Sequence, residues 1–156
     1  MPQLERTVVL VKPDAVQRGF IGEIIHRFER KGLQLVGLKM TQLSDETLQQ
    51  HYAHHAEKPF FASLKSFMQS TPVIAMAWEG PQAVSVVRTM VGPTKGHEAP
   101  AGTIRGDFSI EPSHNMIHAS DAPETAAIEL ERFFTSNELF AYEKTAMTHI
   151  YEKSRE

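Results

Sequence analysis

The chain contains no cysteine, which excludes a disulfide framework and thiolate metal sites. It has no apolar run near the ~20 residues that a membrane span needs. The opening Met1-Pro2-Gln3-Leu4-Glu5-Arg6 lacks the basic start and apolar core of a signal peptide, so a cytoplasmic location is expected. Cations are not in excess: 16 Lys and Arg stand against 19 Asp and Glu, a net charge of −3 with His neutral. A nucleic-acid binder with a broad basic face is therefore not indicated, and any phosphate site has to be a local concentration of Arg and Lys. Neither a Gly-x-x-x-x-Gly-Lys-Ser/Thr run nor a Gly-x-Gly-x-x-Gly run occurs, which argues against the common glycine-loop phosphate cradles. Internal repeats and low-complexity stretches are also missing. What is present, 156 residues with 41% hydrophobic and 22% charged, is the size and composition of one globular domain spanning residues 1–156. Such a chain buries about 70% of its unfolded surface and needs no staple.

Thr7 to Val11 is β-branched and apolar and stops at Lys12-Pro13-Asp14, the signature of a buried strand. Ile21, Ile24, Ile25 and Phe28 recur at helical spacing, with Gly32 where a helix would close. Leu33 to Met40 reads as a second strand. Ser44, Asp45 and Thr47 open a polar helix expected to run through His55, and Pro59 starts another through Met68. Val73 to Trp78 is a third strand, and Pro81 is expected in the first turn of a helix ending near Val91. Glycines and prolines crowd Gly92 to Gly102 into a long loop of the functional kind. Met116 to Ala119 is a short fourth strand. Asp121 is expected to cap the next helix, with Glu124 completing a capping box and Ala126, Ala127, Leu130, Phe133 and Phe134 as its apolar face. The order fits an α+β fold, a ferredoxin-like βαββαβ antiparallel sheet with added helices and a long loop. That architecture hosts many functions and assigns none.

The chemistry concentrates between Arg105 and Glu129. His118 ends a short strand beside a helix N-terminus, whose free N–H groups favour anions. Glu129 follows eleven residues later, about two turns into that helix at 3.6 residues per turn, within return reach of the imidazole. A carboxylate on one ring nitrogen fixes the tautomer and makes the other nitrogen the nucleophile. A lone strand histidine is more often a satisfied core residue. His118, however, is flanked by Asn115 and Ser120, with Arg105 upstream, all donors for phosphate or hydroxyl oxygens.

Asn115-Met116-Ile117-His118-Ala119-Ser120-Asp121 resembles the Asn-x-x-His-(Gly/Ala)-Ser-Asp signature of nucleoside diphosphate kinases. Arg6 to Asp14, Arg18-Gly19, Gly22, His51-Tyr52, Pro59-Phe60-Phe61, Leu64, Arg88, Gly92, Thr94 and Gly102 to Phe108 are similar to further family segments, in family order. The resemblance covers Arg6 to Glu152. It implies transfer of a γ-phosphoryl group from a nucleoside triphosphate to a nucleoside diphosphate, ping-pong, through phosphorylated His118. It further implies that Arg88, Thr94 and Arg105 hold phosphates, with Tyr52 near the transferred group. Lys12 and Asn115 would bind sugar hydroxyls, Phe60 would stack on the base with Leu64 beside it, and Glu129 and Ser120 would hold the His118 ring. Mg²⁺ is implied, held mainly through the nucleotide's phosphates, with no resident metal site. One aromatic platform suits any base, so broad base tolerance is expected.

Pro112-Ser113-His114 stands where the family commonly has an apolar residue followed by Gly-Arg, Lys95-Gly96 replaces a frequent Asn-Pro, and Lys58 replaces a common Arg. Pro112 is expected to cover the base's second face. His51, His54 and His55 fall at i, i+3 and i+4, a spacing that can bind zinc but reads better as a surface helix with Tyr52 toward the site. Phe60 and Leu64 taken alone would be core, Lys12 a solvated strand end, Arg88 a surface residue, and Glu129 decoration of an exposed face. Three rival readings remain in view. An RNA-binding βαββαβ domain would want aromatics where Val8, Leu10 and Ile117 stand. A phosphohistidine hydrolase usually carries an Arg-His-Gly type motif, absent here. An inactive family member would be expected to lack some of Lys12, Arg88, Arg105, Asn115, His118 and Glu129. The family forms homo-oligomers, and Ile150-Tyr151-Glu152 in the tail 138–156 resembles the hexameric kind. The tail and the 92–102 loop are expected subunit contacts.

Overall fold

The computed structural model describes residues 3–152. Of the features read from sequence, Met1-Pro2 and the last four residues of the tail lie outside them. Four strands form one antiparallel sheet: β1 (Leu4–Val11), β2 (Gln34–Thr41), β3 (Val73–Pro81) and β4 (Ile117–Ala119), in the order β2-β3-β1-β4. Helices α1 (Pro13–Gln17) and α2 (Ile21–Lys31) link β1 to β2. Helices α3 (Asp45–His51) and α4 (Phe61–Met68) link β2 to β3, while α5 (Ala83–Val91) and α6 (Ile104–Phe108) link β3 to β4. Helix α7 (Pro123–Phe133) follows. This is the expected ferredoxin-like α+β arrangement.

The central strands read as continuous apolar runs because both of their faces are covered. With a side-chain period of two, Val9, Val11, Ile74, Met76, Trp78, Ile117 and Ala119 share one core with Ile24 and Phe28 of α2 and Val87 and Val91 of α5. Val8, Leu10, Ala75 and Ala77 belong to a second core with Leu48 of α3, Met68 of α4 and Phe133 of α7. His118 pairs with Leu10, between buried Ile117 and Ala119. Its ring therefore points to the second face, toward the helices added to the basic fold.

Several boundaries differ from expectation. Gly32 closes α2 in the left-handed conformation at φ 103°, and the Ser44 side chain caps α3, both as anticipated. Helix α3 ends at His51, however, and a separate 3-10 turn covers Ala53–His55. Helix α4 begins at Phe61, two residues after Pro59. Pro81 is the last residue of β3, opposite Leu4 at the start of β1, where a missing N–H is tolerated. Ala122, not Asp121, occupies the N-cap of α7, and Pro123 supplies the first turn without a side-chain cap. The capping box forms instead at Thr135 and Glu138. Ala127 is exposed rather than part of the apolar face of α7. The 92–102 loop contains a 3-10 turn at Gly96–Glu98, and α6 follows it, capped by Thr103.

Gly106, inside α6, has no room for a side chain: a Cβ there would meet Pro100 O at 2.0 Å. Gly106→Ala is expected to cost about 3 kcal/mol and lower Tm by roughly 6–12 °C. An unchanged thermal melt would show that the 99–101 backbone yields.

Candidate active site

Helix α7 carries Glu129 on the same face as Ala126 and Phe133, at i, i+3 and i+7, so the helix buries the carboxylate with its core side chains. Glu129 Oε2 lies 2.7 Å from His118 Nε2. Burial pushes the Glu129 carboxyl up. The hydrogen bond and charge of His118, with smaller contributions from Ser120 and His51, outweigh it and hold the group below its ordinary value. The buried carboxylate accepts the Nε2–H, which leaves the lone pair on Nδ1 as the available nucleophile. Ser120 is fully buried and accepts from Val8 N–H at 3.2 Å. That bond fixes the chain immediately after β4.

The segment leading into β4 is held in an unusual conformation. Met116 has φ 74°, a left-handed value uncommon for a residue with a side chain. Its N–H donates to Asp14 Oδ2 at 3.0 Å, and its carbonyl accepts from Lys12 N–H at 2.9 Å. These two bonds oppose a strain of about 1–3 kcal/mol. The turn sets Asn115 against Lys12: Lys12 Nζ donates to Asn115 Oδ1 at 2.8 Å, and Asn115 Nδ2 donates to the Thr94 carbonyl at 3.0 Å.

Lys12, Arg88, Arg105 and Arg132 bring four cations to a cavity of about 500 Å³, which Tyr52, Thr94, Asn115, His118 and Glu129 also line. Arg105 is buried, and its guanidinium donates to three carbonyls: Asn115 at 3.2 Å, Gly92 at 3.0 Å and Ile117 at 2.7 Å. Two of its five N–H groups remain for a ligand. Burial first, then Arg88, lowers its pKa to about 10. Burial, helped by Arg105 and opposed by Asp14, lowers Lys12 to about 8. Burial and Glu129 push Tyr52 up to about 12, so its hydroxyl stays protonated. Arg88 donates to the Ala119 carbonyl at 3.4 Å.

Phe60, Leu64 and Pro112 are not among the residues that line this cavity. Phe60 is 48% exposed at the N-cap of α4, Leu64 packs against the second core, and Pro112 is exposed in the bend before β4. In that bend His114 Nδ1 lies 2.8 Å from Glu111 Oε1, and its ring meets Phe67 edge-on at 4.6 Å. The bend is thereby tied to the helix that carries Leu64.

His51 departs most from its sequence reading. It is buried, not on a surface helix, because Leu48 and His51 share the inner face of α3. Its ring meets that of His118 edge-on at 4.5 Å, and its Nδ1 lies 3.3 Å from Glu129 Oε2. Burial first, then the neighbouring His118, opposed by Glu129 and helped by Arg132 and Lys12, lowers its pKa to about 3, so it is neutral. Cavity residues to which the sequence assigned no site role are Gln50, His54, Ala119, Asp121, Thr125, Ile128 and Arg132. The Leu48–His51 spacing and the His51-Tyr52 resemblance were the available signals for His51. Nothing local marks Arg132. Among the described residues, His51, His118 and Glu129 form the only group of three or more His, Asp and Glu whose ligand atoms all lie within 4.8 Å. Arg132 Nη1 lies 3.0 Å from His51 Nδ1, which sets a positive charge against a cation in that place.

A ferredoxin-like sheet carrying a carboxylate-held histidine in a cavity lined by four cations suits an enzyme that handles phosphates. The family model described as nucleoside diphosphate kinase matches residues 5–139. A nucleoside diphosphate kinase of Parabacteroides distasonis is 54% identical over 148 residues, covering 95% of this chain and 97% of that one. One from Staphylothermus marinus is 57% identical over 135 residues, 86% of this chain and 96% of its own. The solved structure of a halophilic nucleoside diphosphate kinase from Halobacterium salinarum, in complex with CDP, superposes with a TM-score of 0.93 at 45% identity, over 96% of this chain and all of that one. The chain belongs to the nucleoside diphosphate kinase family, as a nucleotide-binding phosphotransferase.

Proposed function

We propose that the kinase works by ping-pong transfer through His118. The observation that carries this reading is the 2.7 Å bond from Glu129 to His118 Nε2, which leaves Nδ1 with its lone pair in a cavity lined by Lys12, Arg88 and Arg105. In the first half-reaction Nδ1 attacks the γ-phosphorus, the bond to the bridging oxygen breaks, and the nucleoside diphosphate leaves with those electrons. Glu129 steadies the cationic ring. In the second half-reaction a terminal oxygen of the acceptor diphosphate attacks the phosphohistidine and returns the electron pair to Nδ1. Phosphoryl transfer has a loose transition state, so positioning and charge neutralisation are the main demands on the protein. Arg88, Arg105 and Thr94 hold the phosphates, Tyr52 lies near the transferred group, and Lys12 and Asn115 take the sugar hydroxyls. Ser120 supports Glu129. Phe60, Leu64 and Pro112 receive the base at the outer lip without reading its edge, which gives broad base tolerance. CDP in the halobacterial relative is consistent with a pyrimidine entering such a slot.

The cavity's carboxylates are Asp121 and Glu129, and Glu129 is engaged by His118. That donor set fits a Mg²⁺ held mainly by nucleotide phosphates and water, with Asp121 as the residue on the protein side. Bound there, the ion neutralises phosphate charge. The 156 residues act as one domain, in the cytoplasm; no helix among the described residues is long and apolar enough to cross a membrane. A homo-oligomer, hexamer rather than tetramer, is the proposed assembly. Edge strand β2, where Leu38 and Met40 are 51% and 60% exposed, with Phe140 and Tyr142 of the tail beside it, supports a subunit contact, and the hexamer rests on the resemblance of Ile150-Tyr151-Glu152.

Incubation with γ-labelled ATP and Mg²⁺, then a chase with a second nucleoside diphosphate, tests the mechanism. An acid-labile, base-stable label on His118 that moves to the chase nucleotide is expected. Label released only as free phosphate would make the protein a hydrolase, and no label on folded protein would make it an inactive member.

Lys12, already near pKa 8 in the free protein, adds a pH dependence. A bound polyanion favours its protonated form, so nucleotide affinity is full below pH 8 and weakens as pH rises past it. KM measured from pH 7 to 9.5 is expected to climb above pH 8, and Lys12→Arg to flatten that climb. A level wild-type profile would remove Lys12 from the binding site.

A further inference from the structure

His51 is buried, contacts the reacting pair and has no part in the transfer described above. Its Nε2 is buried without a partner, so either neutral tautomer leaves that atom unsatisfied and Nδ1 decides between them. Two groups compete for Nδ1. Arg132 Nη1 donates from 3.0 Å, which requires a bare Nδ1, and Glu129 Oε2 waits at 3.3 Å, which would require an Nδ1–H. The second contact is longer, and Oε2 already accepts from His118 at 2.7 Å. A guanidinium cannot lose its proton, so Arg132 acts only as donor.

We propose that Arg132 is a positioning residue for the transfer reaction: by occupying Nδ1 of His51 it locks His51 in the Nε2–H tautomer and reserves Glu129 Oε2 for His118. Without that lock, His51 turns its proton to Nδ1 and donates it to Oε2. The same carboxylate oxygen then serves two imidazoles, its bond to His118 Nε2–H weakens, and His118 Nδ1 becomes a poorer nucleophile. Arg132 is half-buried at the cavity wall, so its loss leaves the core intact. The arrangement is legible only in three dimensions, because α3 supplies His51 and α7 supplies both Arg132 and Glu129.

The inference rests on the covalent reading, but its primary test does not depend on turnover. Imidazole ¹H–¹⁵N correlation spectra of the ¹⁵N-histidine-labelled full chain at neutral pH report which nitrogen of His51 bears the proton. The wild type is expected to show a bare Nδ1 and a protonated Nε2, and Arg132→Met to exchange them. A protonated Nδ1 in the wild type, or no exchange in folded Arg132→Met, overturns the proposal. Single-turnover phosphorylation of His118 by ATP and Mg²⁺ is expected to slow about tenfold in Arg132→Met with nucleotide affinity little changed. In a His51→Phe background the same Arg132 substitution should produce no further slowing. Persistence of the full effect there would mean that Arg132 acts on the phosphates directly. Absence of any phosphorylation in the wild type would fail the kinase mechanism while leaving the tautomer result to stand or fall by itself.

Discussion

His118→Ala is expected to reduce phosphoryl transfer by at least about 10⁴-fold while leaving nucleoside diphosphate affinity within a few-fold of wild type. The separation follows from the division of the site. Lys12 and Arg105, which line the cavity, are held by bonds that do not involve His118: Lys12 by Asn115, and Arg105 by three backbone carbonyls. The substitution does strip Glu129 of its main partner, since His118 supplies the hydrogen bond and charge that offset burial of the carboxyl. Glu129 is then expected to take up a proton at higher pH than in the wild type. Equilibrium dialysis with labelled diphosphate and a coupled transfer assay check the two halves. Transfer retained above one-hundredth of wild type would sink the covalent route.

Arg105→Ala is expected to damage both stability and rate. Its side chain joins the loop start at Gly92 to both ends of the Asn115–Ile117 turn; removal leaves the Gly92 and Ile117 carbonyls without their donor, while Asn115 keeps the Ile117 N–H at 2.9 Å. At about 1–2 kcal/mol for each buried unmade bond, the loss is roughly 2–4 kcal/mol, a large share of the stability of a domain. Transfer by the fraction that stays folded should fall about 10²–10³-fold in kcat, with a smaller change in KM, because charge neutralisation is worth most in the transition state. A denaturant midpoint equal to wild type would contradict the scaffolding role. A loss confined to base preference would contradict the phosphate role. Arg105→Lys keeps the charge but not the fork, and should recover more of the rate than of the stability.

The parts of this fold visible in the sequence were those set by local chemistry. Thr7 to Val11 and Val73 to Trp78 announce buried strands because they are uncharged runs of β-branched and apolar residues, and Gly32 announces a helix end because a left-handed residue closes the helix there. The interval from His118 to Glu129 was legible for the same reason, since helix pitch fixes it. Pro81 and Asp121 misled because each has two good uses, and tertiary pairing chose the other: a strand end opposite Leu4, and a place one residue outside the cap. Helix α6 was hidden by the glycines around it, of which Gly92 and Gly106 serve close approach to Pro100 and Thr103, Gly96 packs on Ser109, and Gly102 takes a left-handed turn at φ 93°. His51 and Arg132 lie 81 residues apart, and only the packing of α7 against the sheet and α3 brings them together. The outer base lip stays with the family resemblance, because Phe60, Leu64 and Pro112 do not line the cavity of the chain as it stands.

The three-residue strand β4 makes the position of His118 a discrete variable. Ile117 and Ala119 face one core and His118 the other, so a slip of one residue against β1 would drive the imidazole into hydrocarbon and carry Ile117 into the cavity. No graded misplacement lies between these states. The correct one is latched at both ends, by Lys12 and Asp14 on Met116 and by Val8 on Ser120. Damage to either latch should therefore divide the population into fully competent and fully silent molecules. Activity would be lost by dilution, at constant KM, rather than by a uniform slowing of every enzyme.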